Sequence, residues 1–214
     1  LKLSPFVFLV VLLLVSDSLV MNKKLNTQLI SSSKTNSFRP GNVIIPCNKV
    51  DSCIENTKLY EQAELYNEMS YSVLRRTEIS GSCLSSEERN LFSVAFKNVV
   101  GQYRSSWRVI ESIKSKRIEQ ETEEIENINQ ISLEIGSEIK RVSDIVINAL
   151  DENLIPACSN NSEAMVFYKK MKGDYNRYMV EVSQQSEEKS ILTTNSEEAY
   201  ESATESAQEL PNTH

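Results

Sequence analysis

Histidine is all but absent: the only one is His214, the last residue. Acid–base or triad chemistry built on an imidazole is therefore excluded. Five glycines and five prolines in 214 residues leave little turn chemistry, which argues against a many-stranded β fold. No phosphate-binding glycine loop is present. Basic residues are in the minority, 23 Lys and Arg against 30 Asp and Glu, a formal charge of -7. That balance speaks against general nucleic-acid binding. With so many acids, paired carboxylates are expected as solvated faces rather than as a catalytic pair. Cys47, Cys53, Cys83 and Cys158 make no metal-ligand spacing. They are expected as free thiols, because an even count implies disulfides only in a secreted chain. No metal or cofactor is implied.

Against this background one stretch stands out, residues 89–108, RNLFSVAFKNVVGQYRSSWR. It carries four basic residues, no acid and the only tryptophan. Ser85, Ser86, Glu87 and Glu88 precede it in the pattern of a helix N-terminus, a serine cap followed by acids on the positive end of the dipole. Leu91, Val94, Ala95, Asn98 and Val99 then recur at the spacing of one helix face. On the same helix Lys97, Arg104 and Arg108 fall within roughly 40° of one another, a basic stripe along three turns. Arg104 and Arg108 are a like-charge pair at i,i+4, which costs about 0.2–0.5 kcal/mol in an isolated helix. Two readings are open. The stripe is a solvated face, or cations paired with acids on a neighbouring helix. Or it is a preformed anion site, to which arginine is suited because its planar fork holds two phosphate oxygens.

The 40% apolar content and the three-four periodicity predict an all-α chain of six helices. The first covers residues 54–65, with Leu59 and Ala63 on one face. The second covers 67–79, with Met69, Val73 and Leu74 inward, and Ser80-Gly81-Ser82 ends it. The third runs from 86 to about 118. Gly101 in its middle costs about 1 kcal/mol against alanine, which a close packing contact or a ligand approach would explain. The fourth, about 122–154, carries an apolar stripe of Ile125, Ile128, Ile131, Ile135, Ile139, Val142, Ile145, Val146 and Ala149, read as core, and Pro156 ends it. The fifth, about 163–184, keeps Met165, Tyr168, Met171, Tyr175, Tyr178, Met179 and Val182 to one broad side. Lys170 and Arg177, seven apart, form a second basic stripe on it, and Asp174 is spaced to orient either. The last, about 187–209, is polar and alanine-bearing, with Ile191, Leu192, Ala199, Tyr200 and Ala203, and Pro211 stops it. Antiparallel neighbours with short connections make a helical array in which two basic helices can face each other.

The 89–108 stretch resembles the family-defining segment of the 14-3-3 proteins, differing mainly by Phe96, where the family usually has tyrosine. Residues 166–182, VFYKKMKGDYNRYMVEV, resemble the same family, as do LYEQAELYNEM at 59–69 and NLIP at 153–156. The resemblance runs from Cys53 to His214. It implies a phosphoserine or phosphothreonine peptide-binding adaptor, a class of phospho-motif recognition by arginine clusters. The positions matching the family's phosphate pocket are Lys97, Arg104, Arg177 and Tyr178. Lys170 matches a further groove lysine, and Arg108 and Glu181 match supporting positions. The partners implied are phosphorylated client proteins and 14-3-3-like chains as homo- or heterodimer, with no nucleic acid and no membrane. Leu59, Ala63 and Glu68 match the dimer seam, while Leu65 falls where an arginine often makes an intersubunit ion pair and Glu134 where a lysine often lies.

Residues 1–20 differ from the rest. Residues 5–15 are an uninterrupted apolar run, of a length that suits a signal-peptide core and is short for a bilayer span. The first methionine is Met21. The run is either a leader, which would make the chain secreted, or sequence foreign to the protein; the resemblance favours the second and a cytoplasmic chain. Residues 22–51 are polar and without a helical stripe, read as a flexible extension. Asn160-Asn161-Ser162 is a glycosylation sequon that matters only in a secreted chain. The domain plan is thus 1–20, 21–52 and a helical domain over 53–214. That domain matches the first six family helices and lacks the last three, which supply the opposite wall of the groove. The competing reading is a truncated product or partial gene model, a dimerising helical fragment without a complete groove.

Overall fold

In the computed structural model, residues 45–117, 123–208 and 210 are described. The apolar run at 5–15, the extension as far as residue 44, and the C-terminal Pro211-Asn212-Thr213-His214 lie outside the described residues. Among the described residues six long helices follow in order: α1 Val50–Gln62, α2 Tyr66–Ser80, α3 Ser86–Ser115, α4 Glu123–Ala149, α5 Ser162–Val182 and α6 Ser186–Gln208. Among the described residues there is no strand. No helix among them is long and apolar enough to cross a membrane.

Several helix ends fall where local chemistry dictates. Ser85 caps α3: its side chain accepts from the Glu88 backbone N–H, and Glu88 accepts in return from the Ser85 N–H. This capping box satisfies two N–H groups the helix cannot. Asn161 caps α5 by accepting from the Ala164 N–H at 3.0 Å. Gly81, at φ 55°, closes α2 in the left-handed conformation. The end of α1 does the same with a less suited residue. Glu64 sits at φ 54°, while Leu65 N–H donates to Tyr60 O and Glu64 N–H to Glu61 O. Those two bonds are the pattern of a left-handed helix terminus, in which glycine is usual.

Successive helices pack on one another from α1 to α6, and α4 packs against both α3 and α5. The α4 stripe forms the centre: Ile139, Val142 and Val146 are fully buried. Phe92 and Phe96 of α3, tilted at 4.8 Å between centroids, and Tyr168 of α5 complete it. The buried arc of α3 is wider than the five-residue face read from the sequence, since Phe92, Phe96 and Val100 are also inside. The expected stop of α4 at Pro156 is less abrupt than anticipated. The helix continues through a π-helical turn, Leu150–Leu154, and one α turn, Ile155–Ala157. Proline is accepted there because its missing N–H falls in the first turn of the new segment.

One expectation is corrected and another narrowed. The four cysteines are not free: Cys47 is bonded to Cys53 and Cys83 to Cys158. Cys83 and Cys158 are 75 residues apart in sequence, yet their Cα atoms are 5.0 Å apart, within disulfide reach. The reason is that both precede a helix start, that of α3 and that of α5, and these two starts lie side by side. Of the two explanations for Gly101, a close packing contact is ruled out, because a Cβ there would meet no neighbouring heavy atom within 4 Å.

Candidate functional site

The starts of α3 and α5 are held together by the Cys83–Cys158 bond and by Arg89, whose Nη2 donates to Glu163 Oε1 at 2.7 Å. Beyond that end a cavity of about 320 Å³ opens between the two helices. Ser93 and Lys97 line it from α3, and Phe167, Lys170, Met171, Asp174, Tyr175 and Tyr178 from α5. The two basic stripes therefore face one space. Lys97 is exposed in it and has no ion-pair partner among the described residues.

Tyr178 joins the stripes. The Arg104 guanidinium carbon lies 4.0 Å from its ring centroid and that of Arg177 5.0 Å. An aromatic ring attracts cations over its face, so one side chain gathers an arginine from each helix. Glu181, three residues further along α5, accepts from Arg104 Nε through one oxygen and from Arg108 Nε through the other, both at 2.8 Å. The pairing of stripe cations with an acid on a neighbouring helix is thus real for these two arginines. Glu181 also relieves their mutual repulsion. Burial works against its charged form, but the Arg108 and Arg104 hydrogen bonds overcome this and hold its pKa below the ordinary value.

Asp174 does for the second stripe what Glu181 does for the first. It accepts from Lys170 Nζ at 2.9 Å, from the Tyr200 hydroxyl at 2.7 Å and from Arg177 Nη2 at 3.4 Å. Burial opposes its ionisation, yet these donors, Lys170 foremost, keep its pKa below the usual carboxylate range. The Asp174 bond in turn raises the pKa of Lys170. Glu181 pairs with Arg104 and Arg108, and Asp174 with Lys170 and Arg177; with Lys97 added, five cations stand against two acids, which leaves three positive charges uncompensated. Arg104 uses Nε on Glu181 and Arg177 uses Nε on Tyr200. Among the described residues, Arg104 makes its one side-chain hydrogen bond through Nε.

Of the residues singled out in sequence, the structure brings Lys97, Lys170 and Tyr178 onto the cavity, with Arg104, Arg108, Arg177 and Glu181 connected to it as described. Leu59 lies exposed on α1 and Ala63 exposed at its C-cap, whereas Glu68 is buried at the start of α2. Sequence reasoning assigned no site role to Ser93, Phe167 or Tyr200. Tyr200 carried a faint signal, being the one aromatic on an otherwise polar and alanine-rich helix. Among the described residues no group of three or more His, Cys, Asp or Glu side chains could hold a metal ion.

A family model described as 14-3-3 protein matches residues 56–214. Protein BMH2 of Saccharomyces cerevisiae is 46% identical over 160 residues, covering 73% of this chain and 58% of that protein. The 14-3-3-like protein 2 of Caenorhabditis elegans is 44% identical over 157 residues, 72% of this chain and 60% of its own length. The human 14-3-3 protein beta/alpha is 45% identical over 166 residues, 75% and 64% respectively. The chain thus spans less than two thirds of the length of these curated relatives. With both the family model and relatives above 40% identity covering the helical region, the chain belongs to the 14-3-3 family.

Proposed function

We propose that the chain serves a phosphoserine- or phosphothreonine-peptide-binding adaptor, acting by recognition and not by catalysis. Lys97, Arg104 and Arg177 hold the phosphate, and the Tyr178 hydroxyl donates to it. Lys170 and Arg108 extend the basic rim, and Glu181 orients Arg104. The observation that carries this reading is the gathering of Arg104 and Arg177, from different helices, over one tyrosine ring beside an exposed lysine. Such cations repel until an anion arrives, and a phosphate brings about -1.5 to -2 charges with three acceptor oxygens. Clients are phosphorylated proteins.

The test is a pair of peptides differing only in phosphorylation of one serine. The phosphopeptide binds the full chain and its twin does not, and Arg104→Glu abolishes the difference. Equal affinity for the two peptides removes the proposal.

A second reading, a helical fragment that pairs with a 14-3-3-like chain, is favoured by exposed apolar side chains on and just after α1. Leu59 is 59% and Leu65 36% exposed. Sedimentation of the chain alone and with such a partner tests it; a monomer in both mixtures sinks it.

A further inference from the structure

Where α5 meets α6 the backbone is bare: Gly173 has no side chain, and a Cβ there would lie 2.8 Å from Cδ1 and Cε1 of Tyr200. The Tyr200 ring occupies the space that any other residue at 173 would fill. One turn earlier on α6, the Ser196 hydroxyl donates to Gly173 O at 3.0 Å. The two helices are clasped at this point, one turn from Arg177.

From that anchor the Tyr200 hydroxyl reaches two groups. It donates to Asp174 Oδ1 at 2.7 Å and accepts from Arg177 Nε at 3.4 Å. Arg177 also approaches the same Oδ1 through Nη2, at 3.4 Å. Arginine and a carboxylate ordinarily close to bidentate contact at about 2.7–2.9 Å. Here they do not, because the phenol takes Oδ1 first and stands against Nε. The other Asp174 oxygen is held by Lys170. The hydroxyl therefore keeps Arg177 near its acid but not collapsed onto it.

We propose that Tyr200 is a positioning residue for anion capture: from α6 it keeps Arg177 from closing on Asp174 and so leaves the guanidinium over the Tyr178 ring at the margin of the cavity. This rests on the phosphate-pocket reading above and names a further residue for it. A long, half-exposed arginine is costly to order at each binding event, and a rigid phenol packed on glycine removes part of that cost beforehand. Without the hydroxyl, Arg177 closes on Asp174 and neutralises itself.

The experiment uses the full chain, a phosphoserine peptide and its unphosphorylated twin, with affinity read by titration and stability by thermal melting. Tyr200→Phe keeps the ring on Gly173 but removes the bond to Asp174, so the melting temperature falls modestly, while phosphopeptide affinity falls about fivefold, the worth of one such hydrogen bond. In an Arg177→Lys background, which keeps a cation but has no Nε edge, Tyr200→Phe changes affinity less than about twofold. Ser196→Ala, which loosens the same helix contact without touching Arg177, lowers stability and leaves affinity unchanged. Unchanged affinity in Tyr200→Phe overturns the inference. So does an equal loss in the lysine background, or a loss in Ser196→Ala as large as in Tyr200→Phe. A parent chain that binds both peptides alike overturns the pocket reading and this inference with it.

Discussion

Arg104 Nε donates to Glu181 Oε2 at 2.8 Å, a bond that ties the long third helix to the fifth. It fixes an arginine by its inner nitrogen. Glu181→Gln is expected to lower stability by about 1 kcal/mol, since both arginines lose a charge-assisted partner that is only partly screened. Phosphopeptide affinity falls as well, although the net charge of the site rises. Titration and thermal melting read both outcomes, and a rise in affinity would mean that charge count outweighs orientation.

Acid separates fold from binding. Asp174 and Glu181 both have folded pKa values held below their ordinary ones, 3.8 and 4.5. Their contribution to stability is complete above those values and drains as pH falls through the lower folded ones. Peptide phosphate takes up its second proton near pH 6. Phosphopeptide affinity therefore weakens between about pH 6.5 and 5.5 while the melting temperature of the chain holds, and melting shifts only in stronger acid. Parallel titrations of affinity and melting against pH check this.

Arg76 and Glu88 form an ion pair at 2.6 Å with side chains only 7% and 10% exposed. Glu88 is also the acid of the α3 capping box, and its pKa stays low against burial through Arg76 and Ser85. Arg76→Ala strands that carboxylate and is expected to cost about 3–5 kcal/mol. Denaturant unfolding measures it, and Arg76→Ala with Glu88→Gln together should cost less than the sum of the single changes.

The Cys83–Cys158 bond closes a long loop that contains all of α3 and α4. Chain-entropy arithmetic for a loop of that length gives about 4.5 kcal/mol, from which native-state strain subtracts. Reduction by a dithiol, or Cys83→Ser, should lower the unfolding free energy by roughly 2–4 kcal/mol. Alkylation before and after reduction, read by mass, shows whether the thiols are paired. A chain whose four cysteines all react without reductant would contradict the pairing.

Two glycine exchanges should act in opposite structural senses and both stabilise. Gly101→Ala fills open space in a helix interior and is expected to add about 0.5–1 kcal/mol. Glu64→Gly relieves a left-handed non-glycine residue and adds a similar amount. Gly173→Ala, by contrast, should destabilise, because the new methyl meets the Tyr200 ring. Thermal melts of the three variants decide between these signs.

The helices themselves were legible from residue order because their causes are local. The Ser85 cap, the Gly81 stop and the apolar stripe of α4 lie within a few turns of what they control. The two basic stripes could be read for the same reason, each being a matter of spacing on one helix. What could not be read is whatever depends on which helix ends are neighbours. Cys83 and Cys158 looked like unrelated thiols until the starts of α3 and α5 were set side by side. Tyr200 looked like one more residue on a polar helix until Gly173 let its ring in. Residue order by itself determined the helices, their caps and the sites of positive charge, since hydrogen bonding and side-chain periodicity act within a few residues. Tertiary structure alone decided that Arg104 lies on the Tyr178 ring, that Glu181 holds it and that Tyr200 reaches Arg177, because electrostatics and packing act across space between segments that sequence keeps apart.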